Sequence, residues 1–211
     1  MQDKNPHTKA FSIKSDDHLP VDSIDTISYV DTNFLLDLNN EKAEFHTDCK
    51  NFIATLEQEN RFIVYSSWTL NELKRILRFQ YAKESYNVRS PKEIDFLPFE
   101  QKRNINKQSI QEANSLISSL DHIATEIEID SDFVEEQTDK IAIYSGMQFD
   151  DARHISIGLS NEINSFITSD GGFLDFKNGT HNINVYGASE KISRISKTNT
   201  DQNRLNFHRD K

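Results

Sequence analysis

The sequence predicts an α/β protein whose parallel sheet is covered on both faces. Three observations carry this. Short runs of strand length, rich in β-branched and aromatic residues, occur at "ISYV" (27–30), "RFIVYSS" (61–67), "NSFITSD" (164–170) and "NINVYG" (182–187). Between them, apolar residues recur at helical spacing. Strand and helix then alternate along the chain, the order of βαβ units and therefore of a parallel sheet.

Taken in order, residues 1–24 carry Asp, Lys, His and Pro with little periodicity and read as a flexible N-terminal arm. Ile27–Val30 reads as a buried strand that hands over at Asp31 to the apolar stretch "NFLLDL". From 41 to 59, Phe45, Cys49, Phe52, Ile53 and Leu56 share one helix face. After the second strand, Leu70, Leu73, Ile76 and Leu77 mark another helix. Residues 84–104 contain Pro91 and Pro98 and read as a long loop or irregular insert. Ala113, Leu116, Ile117, Leu120 and Ile123 are in helical register over 105–123. Two more helices are expected, at about 133–144 and from Asp150 or Asp151 to about Ser160. The third and fourth strands follow, and the polar tail from Ser196 is expected to fray. The expected organisation is thus an arm (1–24), one domain (25–195) with a helical insert around 84–125, and a polar tail (196–211).

The 211 residues, 36% hydrophobic and with 14 Phe, suffice for one sizeable core. A net charge of −10 excludes nucleic-acid binding through bulk positive charge, so a polyanion would need local basic patches or bound cations. The single cysteine, Cys49, excludes an intramolecular disulfide and a cysteine-rich zinc site, and it falls on an apolar helix face as a core residue. No apolar run approaches the roughly 20 residues that span a bilayer, and the first residues lack a signal-peptide core. A cytoplasmic protein is the expectation, so the sequon at Asn178 carries no weight.

Four acids stand at element ends. In open parallel sheets, ligands bind beyond the carboxyl ends of the strands. Asp31 lies just past the first strand and Asp170 just past the third, Glu72 lies near the start of the helix after the second, and Asp151 opens the helix leading to the third. Each has a plain structural reading. Asp31 can cap a helix, and so can Asp150 or Asp151. Glu72 fits a capping box with Thr69, and Asp170 in "TSDGGF" fits a turn. Together, however, four converging carboxylates repel, and burial adds a desolvation cost. Such a cluster persists when cations neutralise it or when some members are protonated. Oxygen-rich sites suit Mg²⁺ or Mn²⁺, and one or two such ions can clamp a phosphodiester, acidify water and stabilise the leaving oxygen.

These segments resemble the PIN-domain family of metal-dependent ribonucleases, which includes VapC-type toxins. The matching stretches are "VDTNFLL" (30–36), "SSWTLNEL" (66–73), "DARHISIGLS" (151–160) and "TSDGGF" (168–173), within a resemblance covering about 26–187. It implies a PIN-like three-layer α/β/α fold with a central parallel sheet of four or five strands. It also implies an acidic Mg²⁺ or Mn²⁺ site on Asp31, Glu72, Asp151 and Asp170, with Asn33 and Thr168 shaping it. The family pattern favours Asp151 over Asp150. The implied activity is hydrolysis of single-stranded or loop RNA, with an antitoxin protein and a homodimer as implied partners. Glu72 and Asp151 are further apart in the chain than in a compact toxin, which points to the insert as a choice of substrate or partner.

For the RNA backbone, the basic candidates are Lys74, Arg75, Arg78 and Arg153, then Arg103, Lys107, Lys191 and Arg194; for each, a solvated helix face is the plain alternative. Trp68 and His154 can touch substrate, but core packing is the commoner role of the first and a packed or surface position that of the second. His46, His122 and His181 have no partners at metal-ligand spacing. The alternative function is a catalytically inactive PIN-like scaffold binding protein or RNA. A haloacid-dehalogenase-type phosphatase is disfavoured, because it needs a second Asp where Asn33 stands.

Overall fold

Six parallel strands in the order β1-β6-β5-β2-β3-β4 form one sheet. The structure is a computed structural model that describes residues 7–17, 19–177 and 181–207, with side chains as far as residue 198. Asn178 lies outside the described residues. The chain runs β1 (Thr8–Ser12), β2 (Ile27–Val30), α1 (Thr32–Asn39), α2 (His46–Gln58), β3 (Phe62–Ser66), α3 (Ser67–Tyr86), α4 (Phe99–Ser119) and β4 (Ala124–Ile127). It continues through α5 (Ser131–Ser145), α6 (Phe149–Ser160), β5 (Ser165–Ile167), β6 (Ile183–Gly187) and α7 (Glu190–Phe207).

The sheet sorts its side chains by the two-residue period of a strand. Val30, Ile63, Ile167 and Tyr186 point into one core with Phe34 and Leu35 of α1, Cys49, Phe52 and Leu56 of α2, Leu73 of α3 and Leu116 of α4. Their neighbours Tyr29, Val64, Phe166 and Val185 point the other way, against Val134 of α5, Ile155 of α6, Ile192 of α7 and Phe173 in the 3-10 turn Gly172–Asp175. Both faces are therefore covered, as parallel strands require. Each fully buried Leu, Ile or Phe contributes about 1.5–3 kcal/mol. That packing holds the carboxyl ends of the strands in place, so unfavourable groups can be carried there.

Several expectations are corrected. The sheet has six strands rather than four or five. Residues 8–24 are not a loose arm throughout: β1 pairs in parallel with β6, Ala10 opposite Val185, and Val21–Ser23 forms a 3-10 turn. One buried alanine in "TKAFS" is too weak a pattern to mark a strand by itself. β4 pairs with β3 at the sheet edge, and its half-exposed "ATEI" concealed it. The span 84–104 is not one loop. α3 runs on to Tyr86, Pro91–Phe96 is a 3-10 turn, and α4 starts directly after Pro98. A small core of Ala82, Val88, Ile94 and Ile105 holds that bend together. The polar tail continues as helix α7 as far as Phe207. No helix among the described residues is long and apolar enough to cross a membrane.

Candidate metal centre

Asp31 is 2% exposed at the end of central strand β2, where its N–H donates to the Ile167 carbonyl of β5 at 2.9 Å. Its carboxylate has two sides. Oδ1 accepts the Thr32 N–H at 2.7 Å, capping α1, and Oδ2 accepts the Thr168 hydroxyl at 2.7 Å. The cap and the site are the same residue, since an N-cap needs only one of the two oxygens.

Glu72 does not close a capping box. The N-cap of α3 is Ser66, whose Oγ accepts the Thr69 N–H at 3.3 Å. That moves the helix start three residues earlier and puts Glu72 in the second turn, facing α1 and α6. Its Oε2 accepts the Thr32 hydroxyl at 2.8 Å and meets His154 Nε2 at 2.8 Å, while Oε1 pairs with Arg75 at 3.1 Å. Helix α6 is capped at Gln148, so neither adjacent acid is the cap. Asp150 is exposed and faces Arg75 at 3.8 Å. Asp151 turns inward. A Cβ on Gly172 would lie 2.2 Å from Asp151 Oδ2 and 3.5 Å from Asp170 Oδ1, so only glycine leaves these two carboxylates room to approach. Asp170 is a turn residue, its Oδ1 accepting the Gly172 N–H at 2.9 Å, and its own N–H donates to Thr168 Oγ1 at 2.9 Å. Thr168 thereby links Asp170 to Asp31.

His154 is the residue that the sequence undervalued. It is 1% exposed, as a packed histidine would be, but its neighbours are polar. Nε2 lies 2.8 Å from Glu72 Oε2 and 3.3 Å from Asp31 Oδ1, and Nδ1 lies 3.1 Å from the Tyr29 hydroxyl. That hydroxyl in turn meets Ser66 Oγ at 2.7 Å and Thr69 Oγ1 at 2.8 Å. The signal was available: Asp151 and His154 are three apart on one helix and share a face. Thr32 was also missed, although it ties Glu72 to α1.

The electrostatics divide the site. Burial opposes charge on His154, but Asp31 and Glu72 outweigh it and hold the ring above its ordinary pKa. Burial raises Glu72 too, yet the His154 and Thr32 hydrogen bonds win and its carboxyl lies below the usual range. Burial pushes Asp31 up, with the His154 charge and the Thr168 hydroxyl opposing. His154 Nε2 is thus shared between two carboxylates. Asp151 has no such neighbour to balance it: burial, then the charges of Asp170 and Asp31, push it up to about 7, and His154 only partly offsets them.

Asp31, Glu72 and His154 each offer one ligand atom, all within 4.8 Å of one another, and Asp151 and Asp170 stand beside them. The donor set fits a divalent cation, because carboxylate oxygens dominate it and the negative charge exceeds what the protein's own cations neutralise.

No family model matches the chain, and no curated protein is similar to it. Among solved structures, it is similar to VapC20 of Mycobacterium tuberculosis, a sarcin-ricin loop cleaving toxin, at 15% identity and a TM-score of 0.45, over 70% of this chain and 92% of that one. It is similar to VapBC2 of Rickettsia felis bound to a promoter DNA fragment, at 14% identity and 0.47, over 76% and 98%. It is also similar to FitAcB of Neisseria gonorrhoeae, at 15% identity and 0.44, over 77% and 97%. The case for the site stands on the chain's own geometry.

The basic candidates separate. Arg75 reaches the acids directly. Arg78 donates to Asn106 of α4 at 2.8 Å and Arg103 pairs with Glu100, while Lys191 pairs with Asp175 and lays its stem against Gly171, next to Asp170. Arg153 stacks 4.2 Å above the Trp68 ring, which packs on the core as expected. Lys74 and Asn33 are half-buried on α3 and α1. His122 pairs with Glu57 at 2.6 Å and His46 with the Asp37 carbonyl, outside the cluster.

Proposed function

We propose that the protein is an endoribonuclease that hydrolyses RNA phosphodiesters with Mg²⁺ or Mn²⁺, acting as the toxin of a toxin–antitoxin pair or of a related defence system. One observation carries the reading. Asp31, Glu72, Asp151 and Asp170 come from four separate segments near the carboxyl end of the sheet: Thr32 ties Glu72 to the helix that Asp31 caps, Gly172 leaves Asp151 room beside Asp170, and burial with the charges of Asp170 and Asp31 pushes Asp151 up to about 7. The four motifs quoted above supply the family context, and with it an antitoxin and a second copy of the chain as partners.

In this reading Asp31, Glu72, Asp151 and Asp170 hold the ion, which when bound supplies positive charge to the phosphodiester and acidifies water. Thr168 and Thr32 orient Asp31 and Glu72, and Gly172 keeps Asp151 and Asp170 within reach of a shared cation. Arg75, with Lys74 beside it and Arg153 on α6, supplies local positive charge on a chain of net charge −10. Asn33 lies two residues after Asp31, in the first turn of α1.

The scaffold alternative has one observation in its favour: His154 already balances part of the charge of Asp31 and Glu72 without any metal. It leaves the approach of Asp151 to Asp170 unexplained. Purified protein should cleave RNA with Mn²⁺ or Mg²⁺ and stop with EDTA, and sequencing of RNA ends from cells should show cuts that Asp31→Asn abolishes. Full cleavage by Asp31→Asn and Asp170→Asn would refute the mechanism.

A further inference from the structure

We propose that His154 Nε2 is itself a ligand of the divalent ion, making the centre a mixed nitrogen–oxygen site that takes Mn²⁺ in preference to Mg²⁺; this rests on the metal centre proposed above. Three features support it.

The first is spacing. Two ligand atoms at right angles on one ion, each about 2.1 Å from it, lie about 3.0 Å apart. His154 Nε2 stands 2.8 Å from Glu72 Oε2 and 3.3 Å from Asp31 Oδ1, close to that spacing, and all three ligand atoms lie within 4.8 Å of one another; the ion takes the place of the proton that Nε2 shares with Glu72, which is released to solvent. The second is the far side of the ring. A metal-binding imidazole almost always donates its other N–H to a fixed acceptor, which sets the tautomer and aims the free nitrogen at the ion. Tyr29 provides that acceptor at 3.1 Å from Nδ1, and its own hydroxyl is anchored by Ser66 and Thr69, both fully buried. The third is rigidity. The ring is 1% exposed, packed near Tyr29 and Phe173, so it has no route to swing away from the carboxylates.

The consequence is ion choice. Mg²⁺ demands oxygen ligands in near-ideal octahedral geometry and sheds water reluctantly, whereas imidazole suits transition ions. The remaining carboxylates keep the site hard, which fits Mn²⁺ better than softer ions.

The test loads the full chain with Mn²⁺ and records electron spin echo envelope modulation on protein grown with ordinary histidine and with ¹⁵N-histidine. The expected result is a directly bonded ¹⁴N coupling that the label replaces by a ¹⁵N coupling. In calorimetry, Mn²⁺ should bind more tightly than Mg²⁺, and His154→Asn should lower that ratio by about tenfold or more. Because His154 is buried, the isotope measurement on the wild type decides the matter where the variant does not fold. Mn²⁺ bound without histidine coupling overturns this inference and leaves the four-carboxylate nuclease intact. Histidine coupling in a protein that cuts no RNA supports the ligand and removes the nuclease.

Discussion

Asp17 and Asp151 are both half-buried carboxylates, and the protein treats them in opposite ways. Asp17, in the loop after β1, accepts hydroxyls of Ser12 and Ser193 at 2.6 and 2.7 Å and pairs with Lys197 at 2.9 Å. Burial pushes it up, but these donors prevail and hold it at about 2. Asp151 meets burial, Asp170 and Asp31, and is pushed to about 7. A structural acid is satisfied by donors from its own chain. An acid left short of them, crowded by other acids, carries a charge that a bound cation would relieve.

The largest effect that would break this contrast is on activity. Asp31→Asn should lower RNA cleavage at least about a hundredfold, read as initial rates at saturating Mn²⁺. Next comes Gly172→Ala, whose Cβ would meet Asp151 Oδ2 at 2.2 Å. Gly172 has no positive φ, so the backbone accepts alanine. Mn²⁺ affinity should drop by about tenfold with unchanged circular dichroism, on the scale seen when groups that orient metal ligands are lost; an unchanged affinity would separate Asp151 from the centre.

Stability should respond with opposite sign at the two acids. Asp151 has a folded pKa above its unfolded value of 3.8, so its contribution is lost as pH rises from about 4 towards about 7. In metal-free buffer Asp151→Asn should therefore melt higher than wild type at pH 8, and the gap should close by pH 4; added Mn²⁺ should reverse the order. Asp17 has a depressed folded pKa, so its contribution is present above 3.8 and lost as pH falls towards about 2. Asp17→Asn should melt lower than wild type at pH 7, with the difference shrinking below pH 3.8. The smallest effect belongs to Arg75→Ala: its side chain is 64% exposed, so stability should change by no more than about 0.5 kcal/mol.

Much of this was legible because each acid stands at an element boundary. Val30-Asp31 and Thr168-Ser169-Asp170 mark strand ends by composition, and strand ends in a parallel sheet share one rim. What the sequence concealed depends on tertiary direction. Thr69-Leu70-Asn71-Glu72 is a good local capping signal, but Ser66 caps first and frees Glu72. His154 reads as a core histidine until Tyr29, Asp31 and Glu72 are folded around it. β1 and β4 each offer too little buried apolar surface to betray a strand, and they form because a neighbouring strand already presents its edge.

The central claim is that Asp31 and Asp170, 139 positions apart in the chain, grip one ion. Calorimetric titration of Mn²⁺ into metal-free wild type, Asp31→Asn and Asp170→Asn tests it most directly, since Asn at 170 keeps the turn acceptor. Saturable binding in the wild type that both substitutions weaken severely is the predicted result. Equal isotherms in all three proteins, or no binding in any, would contradict it.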